Sequence, residues 1–123
     1  MNEADIYEAV GGAQAFDALV DAFYKGVESD PVLRPMYPSD LAPGKRHLSL
    51  FLQQRFGGPD TYSQERGHPR LRVRHMGFAV DATSRDAWMR HMTAAVRGCP
   101  AFAPHESVLV KYFADAATFL INR

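Results

Sequence analysis

Apolar positions recur along the chain with a helical period. Phe16, Leu19, Val20, Phe23 and Val27 fall at i, i+3, i+4, i+7 and i+11, the stripe of an amphipathic helix. Asp30-Pro31 predicts where it stops, because a residue before proline avoids the helical region. Residues 31–43 hold four prolines and read as turns and short helical pieces. A second helix is predicted over 47–56, apolar at Leu48, Phe51, Leu52 and Phe56 and closed by Gly57-Gly58-Pro59. Residues 61–67 are polar and read as loop. Pro69 suits the first turn of a short helix in which Leu71, His75 and Phe78 share a face. Thr83-Ser84-Arg85-Asp86 has the pattern of a capping box that opens a helix with Trp88, Met92, Ala95 and Val96 on one side. Pro104 sits near the start of the last helix, striped by Leu109, Tyr112, Phe113, Ala116 and Leu120. No stretch alternates strictly with β-branched residues. The expected fold is all-α, with five main helices around one core.

Composition narrows the class without naming a chemistry. A length of 123 residues suits one domain over the whole of 1–123, large enough to bury a core without staples. Fourteen basic residues balance fourteen acidic ones, so neither a nucleic acid nor an anionic membrane is an expected partner. The single cysteine, Cys99, excludes an internal disulfide and fits a reducing compartment. With no apolar run of about 18 residues and no signal-peptide pattern at Met1-Asn2-Glu3-Ala4-Asp5, the expected location is the cytoplasm.

The familiar catalytic patterns are missing: no HExxH, no glycine-rich phosphate loop, no GxSxG and no CxxC. The five histidines show no zinc-ligand spacing. His75 stands apart because it lies on the apolar face of its helix with Arg70, Arg72 and Arg74 in the turns around it. One reading is a core histidine bonded to a carbonyl. The other is an axial haem ligand, since a neutral imidazole on an apolar wall suits an iron porphyrin and arginine suits its propionates. Tyr24, Tyr37 and Trp88 form a second group. Aromatics at helical spacing are usually core, yet aimed at one cavity their O–H and N–H groups would hold a small ligand bearing partial negative charge.

These residues stand among landmarks that resemble the truncated haemoglobins, in their group II branch. The landmarks are Ile6-Tyr7-Glu8-Ala9-Val10-Gly11-Gly12, Phe23-Tyr24, Tyr37-Pro38, Phe56-Gly57-Gly58-Pro59, the run from Gly67-His68-Pro69-Arg70 through Leu71-Arg72-Val73-Arg74-His75, and Asp86-Ala87-Trp88. They span roughly residues 6–121. The resemblance implies a two-over-two helical sandwich around a haem b, with a reduced first helix and mostly loop before the proximal helix. It implies His75 as proximal iron ligand, Tyr24, Tyr37 and Trp88 as distal polar residues, and Leu48 on the distal wall. The position of a distal histidine in ordinary globins falls near Gly44, where a small residue leaves a path for ligands and a pentacoordinate iron. The remaining pocket wall is expected from Phe23, Phe51, Leu52, Phe78 and Met92. Propionate contacts are expected from Arg72 or Arg74, with Tyr62 and His47 as further candidates.

Three functions follow as expectations. The first is binding of O2, CO and NO with slow O2 release suited to gas or redox chemistry rather than ordinary carriage. The second is a peroxidase acting on peroxide or an NO dioxygenase, which needs a separate reductase because the chain has no flavin or nicotinamide module. The third is a cofactor-free helical interaction domain. Monomer and homodimer are both compatible with the helical faces.

Overall fold

The computed structural model describes residues 3–77 and 79–123. It is built of helices: α1 (Ile6–Ala9), α2 (Ala13–Ser29), α3 (Ala42–Arg55), α4 (Thr61–Arg66), α5 (Leu71–His75), α6 (Ala82–Gly98) and α7 (Glu106–Phe119), with 3-10 turns at Glu3–Asp5, Arg34–Met36 and Pro100–His105. No strand occurs among the described residues.

The stripe on α2 is buried along its whole length, and each such side chain removed from water stabilises the fold by about 1.5–3 kcal/mol. The helix stops where expected: Asp30 turns extended, and its Oδ1 accepts from the backbone N–H groups of Val32 (2.7 Å) and Leu33 (3.1 Å). α3 starts five residues earlier than the apolar pattern indicates, at Ala42 rather than 47. Pro43 lies in its first turn, where a missing N–H costs nothing, so this proline begins a helix instead of breaking one.

Residues 61–66 form α4 rather than loop. Gln54 templates it from α3: its Oε1 accepts from Ser63 N–H (3.0 Å) and its Nε2 donates to Ser63 Oγ (2.8 Å). Pro69 falls outside α5, whose N-cap is Arg70 in the left-handed region at φ 44°. Arg74 supports that strained turn, donating from Nε to the Pro69 carbonyl (2.8 Å) and from Nη2 to that of Arg66 (3.0 Å). The capping box of α6 begins at Asp81, two residues ahead of the expected Thr83. Asp81 Oδ1 accepts from Ser84 N–H (2.9 Å), and Ser84 Oγ accepts from Asp81 N–H (3.0 Å). Pro104 belongs to the 3-10 turn before α7.

α2 packs on α3, α6 packs on α7, and α2 meets α6 between them, which is the two-over-two sandwich. Phe16 and Phe102 meet edge to face at 5.3 Å in the centre. Polar ties join the layers. Ser49 Oγ donates to Asp17 (2.6 Å) between α2 and α3, and Arg85 donates to Thr118 Oγ1 and the Ala114 carbonyl between α6 and α7. Asp30 reaches α6, taking a bond from His91 Nε2 at 2.6 Å and from Arg90 at 3.3 Å. Gly26 makes this possible, because a side chain there would occupy the space of the His91 ring.

Candidate functional site

A cavity of about 340 Å³ lies within the sandwich, inside the range of small-molecule and cofactor pockets. α2 and α3 contribute Tyr24, Gly44, Leu48, Phe51 and Leu52 to its wall. The turn after α2 adds Leu33, Met36, Tyr37 and Pro38. α5 supplies Leu71 and His75, and α6 supplies Ser84, Arg85 and Trp88. Phe113, Ala117 and Leu120 close the α7 side.

His75 is the imidazole of this cavity. Its Nδ1 lies 2.6 Å from the carbonyl of Leu71, one turn earlier on α5. A carbonyl can only accept, so Nδ1 carries a proton, and in the neutral ring the lone pair lies on Nε2. That is the tautomer a metal ligand requires, with its orientation set by the outer bond. A mostly carbon-walled cavity with one imidazole of this tautomer is the donor set of an iron macrocycle, and the residues fit haem.

Tyr24, Tyr37 and Trp88 line the same cavity. Tyr24 and Tyr37 pack edge to face with ring centroids 5.7 Å apart. Burial pushes the Tyr24 phenol up to about 12. Burial, and then the neighbouring Tyr24, push Tyr37 still further above the usual phenol value, which a hydrogen bond with the Trp88 side chain partly offsets. Both phenols therefore stay protonated at physiological pH and act as O–H donors. Gly44 stands directly over this group, since a Cβ there would lie 2.7 Å from the Tyr24 hydroxyl. The segment carrying Tyr37 hangs from Arg34, whose guanidinium donates to the carbonyls of Tyr37 (3.3 Å), Pro38 (3.0 Å) and Ser39 (3.1 Å).

Cations gather behind Phe51. Tyr62 packs on Phe51 at 5.5 Å, and the guanidiniums of Arg66 and Arg74 each lie 6.0 Å from the Tyr62 ring. Arg66 Nη1 is 3.3 Å from His47 Nε2. Burial, and then Arg66 and Arg46, hold the His47 pKa below its usual value and keep the ring neutral.

Of the residues singled out from sequence, Tyr24, Tyr37, Leu48, Phe51, Leu52, His75 and Trp88 meet in one cavity. Phe23 and Met92 do not line it. Both are fully buried, Phe23 lying against Trp88 at 5.1 Å. Tyr62 stands behind Phe51, Arg74 is turned to the carbonyls of its own turn, and Arg72 is exposed over the Phe119 ring at 5.3 Å. Phe78 lies outside the described residues. The α7 side of the cavity and Leu33, Met36 and Arg85 escaped the sequence reading. The apolar stripe of α7 marked a buried face but could not say that part of it borders a cavity.

Comparison with known proteins agrees with this picture. Residues 5–120 match the family model of the bacterial-like globins. The haemoglobin of Chloroflexus aurantiacus is 52% identical with a TM-score of 0.93, over 96% of this chain and 98% of that one. The group II truncated haemoglobin of Bacillus anthracis is 35% identical with a TM-score of 0.91, over 95% of each. A group 2 truncated hemoglobin of Bacillus subtilis is 44% identical over 90 residues, which is 73% of this chain and 67% of that protein.

Proposed function

Since the chain belongs to the bacterial-like globin family, in its group II truncated haemoglobin branch, we propose that it binds O2 and other diatomic gases at a haem b held through His75. The observation that carries this reading is the His75 Nδ1–H···O=C bond to Leu71, on a cavity that also holds Tyr24, Tyr37 and Trp88.

When bound, the haem supplies a ferrous iron that ligates diatomic molecules and shifts electron density onto them. The protein does the rest. His75 would hold the iron through Nε2, its ring oriented by the Leu71 carbonyl. Leu48, Phe51 and Leu52 line the cavity with carbon and would exclude water from a group held there. The cations beside Tyr62, Arg66 and Arg74, suit the carboxylates of a porphyrin, with His47 as a neutral partner. Tyr24, Tyr37 and Trp88 supply O–H and N–H donors to a ligand that carries partial negative charge. Each good bond of that kind is worth about 1.5–3 kcal/mol, roughly a 10- to 150-fold slower release. Because the three groups touch, their effects share a network and do not add. Slow release suits gas or redox chemistry better than carriage.

The test is the visible spectrum of the purified protein, ferric, reduced and CO-bound, beside His75→Ala. A Soret band that shifts with CO and is lost or altered in the variant is expected. Tyr24→Phe and Trp88→Phe are each expected to raise the O2 dissociation rate roughly 10-fold or more. Unchanged rates in both would overturn the distal assignment.

A further inference from the structure

α5 turns a second face to solvent. Leu71 and His75 share the cavity side, whereas Arg72 and Val73 of the same short helix, and Met76 at its C-cap, lie away from it. Val73 is 62% exposed and Met76 70% exposed, and Phe119 at the end of α7 is 57% exposed beneath the Arg72 guanidinium. Asn122 joins these pieces into one surface. Its Nδ2 donates to the His75 carbonyl (3.2 Å), while its Oδ1 and backbone N–H bond the backbone N–H and carbonyl of Val80.

The charge on the α5 side of this patch is one-sided. Residues 66–80 contain four arginines and no acidic residue, in a chain that is neutral overall. Arg46, Arg55, Arg85, Arg90 and Arg97 each have a carboxylate within 4.0 Å. Among the described residues, no ion pair involves the arginines of 66–74. Arg66 and Arg74 turn to Tyr62, whereas Arg70 and Arg72 are exposed on the patch side. An exposed apolar centre with those two cations beside it is complementary to an acidic protein with an apolar centre of its own.

We propose that this face, formed by α5 and the end of α7, docks an acidic one-electron carrier protein. The proposal rests on the haem reading above: the iron must be ferrous to bind O2, and a one-electron donor would keep it so. The location answers that need, because Val73 on the same short helix as His75 and Met76 at its C-cap bring a partner within about one helix diameter, 10–12 Å, of His75. The step moves one electron from the reduced carrier to ferric iron and makes or breaks no bond.

The probe is a plant-type [2Fe–2S] ferredoxin, an acidic one-electron protein, titrated into the haem-loaded chain and followed by NMR. Binding is expected to weaken roughly tenfold between 20 and 200 mM salt, and by a similar factor in Arg70→Glu and in Met76→Glu. Lys25→Glu, which reverses a charge on α2, is expected to leave it within about twofold. The rate of ferrous-CO formation after mixing with reduced ferredoxin is expected to fall in step. The Soret band and its CO shift should stay as in the parent, so loss of docking is distinguishable from loss of haem. Equal binding by parent and patch variants would overturn the proposal, as would an equal loss in Lys25→Glu. Absence of ferredoxin binding with capture by phosphatidylserine vesicles, or with a dimer that Met76→Glu dissociates, would assign the face to a membrane or to a second copy instead.

Discussion

At the scale of single residues, the contact between Gly44 and Tyr24 is the most exacting in the cavity. A methyl group at Gly44 would press on the Tyr24 hydroxyl, which is the far end of a side chain and can yield. Gly44→Ala is therefore expected to change stability by less than about 1 kcal/mol while moving the donor. Stopped-flow measurement should show O2 leaving roughly 3- to 10-fold faster, and the double variant with Tyr24→Phe should release it no faster than Tyr24→Phe alone. The phenols also predict an alkaline signature. Their folded values stand above the ordinary value near 10, so the native state holds these protons more tightly than the unfolded chain does. Their contribution is intact below about pH 10 and is lost as pH rises towards 12. Absorbance at 295 nm should show fewer than five phenolates at pH 10.5 in the folded protein and more in urea, with Tyr24, Tyr37 and Tyr112 the late ones.

At the scale of elements, the corner between α2 and α6 depends on Asp30. The hydrogen bond from His91 is the main reason its carboxyl falls to about 2, with the Val32 and Leu33 amides adding to it. A depressed folded value contributes stability above the unfolded value near 3.8, and that contribution disappears as pH falls from there towards 2. Asp30→Asn should therefore flatten the pH dependence of stability between about 4 and 2 in urea denaturation.

The same corner shows what the sequence conceals. Asp30 and His91 lie 61 positions apart, and nothing in either neighbourhood announces the pair. α2, α6 and α7 were legible because their apolar stripes are long. α4 was not, since its six residues carry one buried side chain, Tyr62, and depend on Gln54 of another helix. The starts of α3 and α6 were displaced for related reasons: Pro43 opens a helix, and Asp81 caps one residue before Ala82. In the cavity, His75, Tyr24, Tyr37 and Trp88 were legible as chemistry. The residues on α7 were legible only as core, because their role follows from what α6 and α5 leave beside them.

For the whole molecule, two helix pairs meet over a small aromatic centre, and the cavity opens beside it. Phe16 contacts Tyr7, Phe56 and Phe102, so it joins α1, α2, the end of α3 and the turn before α7. Phe16→Ala is expected to cost about 3–5 kcal/mol, a large share of the 5–15 kcal/mol typical of such domains. Chemical denaturation should show that loss even in haem-free protein. The Arg34 fork gives the molecule a different kind of robustness. Unlike the Asp30 corner, the Tyr37 wall is held by a guanidinium on neutral carbonyls, and neither changes charge in acid. Acid should thus dismantle the protein in sequence, the joint between the two layers loosening first while the rim beside Tyr37 keeps its shape. A lysine in place of Arg34 would keep the charge and lose the three-way grip, making that rim the first part to yield to heat.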